Sequence, residues 1–181
     1  MSAGHDPHDL LQFWRDAGPG RWFRRDDGFD AQLRERFLAM HEAAAGGQLQ
    51  EWRATPEGAL ALVLLLDQFP RNAFRGTARM YATDAQAREA AAAAIAAGHD
   101  QRVDPQLRPF FSLPFMHSED LRDLDRCVAL NQESGAENLR FALHHRDIVA
   151  RFGRFPHRNA VLGRPSTQEE ERFLAEGGFG G

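Results

Sequence analysis

Two short stretches of this chain nearly repeat each other, and both carry residues that grip anions. One reads Phe69-Pro70-Arg71-Asn72-Ala73-Phe74-Arg75-Gly76; the other reads Phe155-Pro156-His157-Arg158-Asn159-Ala160-Val161-Leu162-Gly163-Arg164. Each follows a helix-like apolar run and sets Arg-Asn-Ala before a glycine. Proline lacks an N–H and crowds the preceding turn, so each Phe-Pro is expected to end a helix. Two such ends, loaded with guanidinium and amide groups, predict similar platforms for an anionic or polar ligand. The planar guanidinium fork suits phosphate and carboxylate. Every cation other than histidine is arginine, which GC-rich codon usage explains as well as function does, so placement matters more than identity. Three arginines and no acid lie between Arg71 and Arg79, and six arginines with one acid, Asp147, lie between Arg140 and Arg164. These are basic islands in a chain of net charge −4.

Other groups could join them. Asp67 stands where the preceding helix should end, either as a salt bridge to Arg71 and Arg75 or as the carboxylate that orients them. On a helix around residue 145, Phe141, His145, Ile148 and Phe152 share one side, and His144, Asp147 and Arg151 share the other. Asp147 and Arg151 are spaced as a surface ion pair. His145, in the apolar stripe, is either a core histidine bonded to a carbonyl or carboxylate, or a site histidine. Phe115-Met116-His117-Ser118-Glu119 leads into a helix that Ser118 is expected to cap. His117 and Glu119 there are an exposed pair or an acid–base couple. Zinc-protease, phosphate-loop and serine-elbow motifs are absent. Cys127 reads as a small core residue, and neither a metal nor a cofactor is implied.

The elements that must position these groups read as helices throughout. Asp6-Pro7 opens one that runs to about Ala17; a second runs from about Phe29 to Ala45. Thr55-Pro56 opens a third, apolar on nearly every side to about Gln68, which is expected to be the buried centre. Thr83-Asp84 begins an alanine-rich helix ending at Gly98. Further helices are expected from Ser118 to about Gln132, from Ala136 to Phe152, and after Ser166-Thr167-Gln168-Glu169, which fits a capping box. Alternating β-branched runs are missing. The expectation is a single all-α domain, residues 1–181, with about seven or eight helices.

Composition narrows the functions. A 43% hydrophobic, 27% charged chain of 181 residues is ordinary for a soluble globular protein. The acidic balance argues against general nucleic-acid coating. The longest aliphatic run, Ala59 to Leu66, is too short to span a bilayer. The start does not read as a signal peptide and there is one cysteine, so a cytoplasmic location is expected.

Several longer motifs then carry a resemblance. They are Asp67-Gln68-Phe69-Pro70-Arg71-Asn72 with Phe74-Arg75-Gly76, Leu113-Pro114-Phe115-Met116-His117-Ser118-Glu119, and His145-Arg146-Asp147-Ile148 running on through Arg151 to Asn159. With Leu162-Gly163-Arg164, Ser166-Thr167, Phe13-Trp14 and Trp22-Phe23, the chain resembles the bacterial family catalogued as domain of unknown function 924. The resemblance implies a tetratricopeptide-like stack of paired antiparallel helices; it supplies no activity.

The leading functional expectation is a small anionic metabolite, a phosphate ester or carboxylate, held by Arg71, Asn72, Arg75, Arg151, Arg154, His157, Arg158 and Asn159. With turnover, acid–base hydrolysis would use His117 or His145 as base, with Glu119 or Asp147 as orienter. The alternatives are a helical module for an acidic peptide and a binder of short nucleic acids.

Overall fold

The computed structural model describes residues 5–179, and among them there are helices and turns but no strand. Seven α-helices have eight or more residues: α1 Pro7–Ala17, α2 Asp27–Ala45, α3 Pro56–Val63, α4 Asp84–Ala96, α5 Leu121–Asn131, α6 Ala136–Phe152 and α7 Gln168–Ala175. The all-α expectation holds. Among the described residues no helix is long and apolar enough to cross a membrane. The chain forms two compact units, one from residues up to 75 with 79–114, the other from 76–78 and residues from 115 onward.

In the first unit α3 is the centre. Residues Gly58 to Val63 are all buried, and α1 and α4 pack on this helix. The alanine-rich α4 packs closely through Ala87, Ala90, Ala91 and Ala94, whose small side chains let two backbones approach.

The Phe69-Pro70 break does not occur. Helix α3 continues through a π-helical turn, Leu64–Gln68, into another helical turn, Phe69–Ala73. The Phe69 N–H reaches back five residues to Leu64 O, and Pro70 has no N–H to offer. The Leu65 and Leu66 carbonyls are instead met by His41 Nδ1 at 2.8 Å and Thr83 Oγ1 at 2.6 Å. A π-bulge with two side-chain donors thus carries the proline inside a buried helix. Thr83 is consequently not the side-chain cap of α4.

The second unit is built on the α5–α6 hairpin, joined by residues 132–135. Its core is Leu124, Ile148, Val149 and Phe155, with Phe152, Phe173 and Phe179 packed against it. Helix α6 ends where the sequence predicts, at Gly153, whose φ of +73° favours glycine. Pro156–Arg158 is then a short 3₁₀ turn. The two near-repeats therefore adopt different structures, one inside a helix and one in a loop after a helix.

Two caps also differ from expectation. Asp120, not Ser118, caps α5 and accepts from Arg122 N at 2.9 Å. The Ser118 hydroxyl accepts from Asp120 N and donates to Asp123. The capping box of α7 pairs Thr167 with Glu170, one residue later than the sequence motif placed it. The reason is that Glu170 also serves an arginine described below.

Candidate functional site

The first motif is held by carboxylates. Arg71 makes a two-pronged contact to Asp84, 2.9 and 3.1 Å, and lies 3.2 Å from Asp67 Oδ1. Burial would lower the Arg71 pKa, but the two carboxylates outweigh it and raise it. Gln68 donates to the second Asp67 oxygen at 2.7 Å. Asn72 and Arg75 both donate to Asp30, at 2.7 and 2.6 Å. An open depression of about 480 Å³ beside them is lined by Asp30 and Glu35 as well as Arg34 and Asn72, a poor setting for an anion. The role these bonds give Arg71, Asn72 and Arg75 is to tie the bulged helix to α2 and α4.

The second unit treats its residues unequally. Arg154 donates to both Glu170 oxygens, at 2.7 and 2.9 Å, and to Pro165 O. This ion pair, with the Thr167 N–H, holds the Glu170 carboxyl down to about 2. Asn159 donates to Ser166 and Glu170 and accepts from Arg164. Glu119 accepts from Arg164 at 2.7 and 2.9 Å and from the Phe155 N–H at 2.8 Å. Burial pushes its carboxyl up, yet Arg164 and that amide bring it below the usual range. Glu119 therefore fastens Arg164 and the Phe155 amide together. Asp147 is exposed and is not the orienter of His145: Phe141 O lies 2.7 Å from His145 Nδ1. Arg151 pairs with Glu169 at the surface.

A further cluster surrounds Phe155. Arg158, 6% exposed, donates to His117 O at 2.9 Å and lies 4.6 Å over the Phe155 ring. His145 and His157 each stand 5.7 Å from the same ring. Because a carbonyl only accepts, His145 carries its proton on Nδ1 and a lone pair on Nε2. Burial, with lesser repulsion from His117, His144 and Arg158, depresses His145 to about 4. Burial and then Arg158 depress His157 equally, to about 4. His157 Nδ1 is enclosed and has no hydrogen-bond partner among the described residues. Of the expected site residues, the structure brings His117, His145, His157 and Arg158 together. It engages Arg71, Asn72, Arg75, Arg154, Asn159 and Glu119 in internal bonds. Among the described residues no group of three His, Cys, Asp or Glu side chains is placed to hold a metal.

Asp30, Asp84, Glu170 and Phe179 were not singled out from sequence. Asp84 lies 13 residues from Arg71 and Asp30 lies 45 from Arg75, so no local spacing announces these pairs. For Glu170 a signal existed: it sits three residues after Thr167, as a capping-box acid should.

The chain belongs to the DUF924 family, described as bacterial protein of unknown function, whose sequence pattern matches residues 10–178. It is similar to a solved structure of a protein of unknown function, ATU0120 from Agrobacterium tumefaciens. The two share 53% identity over 94% of this chain and 97% of that one, with a TM-score of 0.92. No curated protein matches the chain.

Proposed function

We propose that the second unit binds a small anionic metabolite, a phosphate ester or carboxylate, between Arg158, His145, His157 and His117. The observation that carries this reading is the enclosed His157 Nδ1, a polar atom with no partner among the described residues, beside a buried guanidinium. Burying such an atom unpaired costs about 1–3 kcal/mol, and native structures give nearly every such atom a partner. A bound anion would pair with Arg158 and recharge His157, taking up a proton as it binds. With turnover, His145 is the base, because Phe141 holds its proton on Nδ1 and leaves Nε2 basic. The reaction would be hydrolysis of an ester or phosphoester.

Support for the alternative, a tetratricopeptide-like module for an acidic peptide, is weaker. Arg71, Arg75, Arg154 and Arg164 are already bonded to Asp or Glu. The test is calorimetric titration with inorganic phosphate and with acetate at pH 6.5 in buffers of different ionisation heat. Binding with net proton uptake, weakened at least tenfold in Arg158→Gln, is the expected result. Absence of binding by either anion, or binding untouched by Arg158→Gln, overturns the reading.

A further inference from the structure

The chain supplies its own occupant for one side of this cluster. Helix α7 ends in a Schellman turn: Gly177 N–H bonds Leu174 O at 3.3 Å and Gly178 N–H bonds Phe173 O at 2.8 Å. Gly177 has φ +82°, and a Cβ at Gly178 would stand 2.4 Å from Phe173 O. Both positions therefore require glycine, and the turn they make sends Phe179 back over the histidines. Its ring lies 4.6 Å from His145, 5.1 Å from His157 and 5.7 Å from His144, at interplanar angles of 66°, 85° and 80°. Edge-on contacts of this kind are favoured between rings. Three imidazoles thus surround one planar ring, beside the cation that the proposed anion needs.

We infer that Phe179 holds the place of a planar ring in the ligand, so that the site takes an aryl or heteroaryl phosphate or carboxylate, and residues 177–179 form a strap which that ring displaces. The inference rests on the anion-binding reading and adds the second half of the ligand to it. The recognition is divided: Arg158 and the imidazoles meet the charge, and the faces and edges of His144, His145 and His157 meet the ring. Phe179 is only half-buried and directly follows two glycines. That makes it an exchangeable occupant, unlike Phe155, which is fully buried beneath the same histidines.

The test compares inorganic phosphate with phenyl phosphate on the full chain, wild type against Phe179→Ala, by calorimetry. Phe179→Leu keeps apolar cover at the site and controls for lost packing, and circular dichroism checks folding. The expected result is a roughly tenfold gain in phenyl phosphate affinity for Phe179→Ala. Removing a competing closed state populated about ten to one gives a gain of that size. Inorganic phosphate should change little. In Phe179→Trp, phenyl phosphate should alter the indole emission as it expels the ring, and inorganic phosphate should not.

Two failures read differently. If inorganic phosphate binds but phenyl phosphate gains nothing from Phe179→Ala and Phe179→Leu, the strap inference falls and the anion reading stands. If neither anion binds to any of the folded variants, both fall.

Discussion

Arg164 grips both carboxylate oxygens of Glu119, and the same carboxylate accepts the Phe155 amide, across 45 and 36 residues of chain. One acid thereby anchors the turn before α5 to the loop after α6. The loop carries His157 and Arg158; the turn carries His117, whose carbonyl Arg158 bonds. Glu119 thus positions the histidine–arginine cluster, and its charge acts on Arg158 and His157 within it.

Glu119→Gln should cost about 2 kcal/mol of stability, the scale for a half-buried charged pair with an added backbone bond. Urea unfolding measures it. Because Gln retains an acceptor for the Phe155 amide, Glu119→Ala should cost more. A Glu119→Gln protein as stable as wild type would show that the pair only decorates the surface.

Thr83 and Pro70 form a second testable couple. Thr83→Val removes the donor to the buried Leu66 carbonyl and should cost about 1–3 kcal/mol. Pro70→Ala restores a backbone N–H four residues after Leu66. Combining the two should recover part of that loss, a coupling of about 1 kcal/mol in a double-mutant cycle. Additive effects would refute the account of the bulge given above.

Arg71 is the cation between Asp67 and Asp84, and Arg71→Met leaves two buried carboxylates facing each other. A loss of about 3–5 kcal/mol is expected, with thermal melting as the readout. Anion binding by protein that remains folded should be unaffected, since Arg71 belongs to the other unit. Loss of phosphate binding in folded Arg71→Met would return the first motif to the list of ligand groups.

Acid should destabilise this protein in two stages. His145 and His157 are depressed to about 4 in the folded chain from the usual 6.5. The unfolded chain therefore holds more protons between those values, and stability falls as pH drops from about 6.5 to 4. For His145 the loss is up to about 3 kcal/mol. Glu170, held at about 2 against the usual 4.5, adds a loss between those values. Allowing for solvent screening, that loss is about 1–2 kcal/mol. Histidine NMR titration checks the first stage; a His145 midpoint near 6.5 would contradict the buried, neutral ring.

The seven longer helices, the helix class and the central position of α3 were legible in the sequence, because apolar period, caps and glycine stops are local signals. The bulge was not. Leu64 to Gln68 looks like any apolar helix, and only His41 and Thr83, 24 and 17 residues from the carbonyls they meet, allow it to run past Pro70. The same distance effect hid the site. Arg71 and Arg158 look alike in their Arg-Asn-Ala settings, yet Arg71 faces two aspartates and Arg158 faces a carbonyl and a ring. What each arginine meets is a property of packing, and motif similarity does not carry it.

Cys127 sits on α5 with 0% exposure, and burial pushes its thiol up to about 12, partly offset by Asn131. A thiol so enclosed is almost wholly protonated at neutral pH and cannot be alkylated while the hairpin is closed. Because the chain has a single cysteine, the rate of its labelling becomes a natural clock for the opening of the second unit. No reporter needs to be engineered, and each variant above that touches this unit carries the clock already.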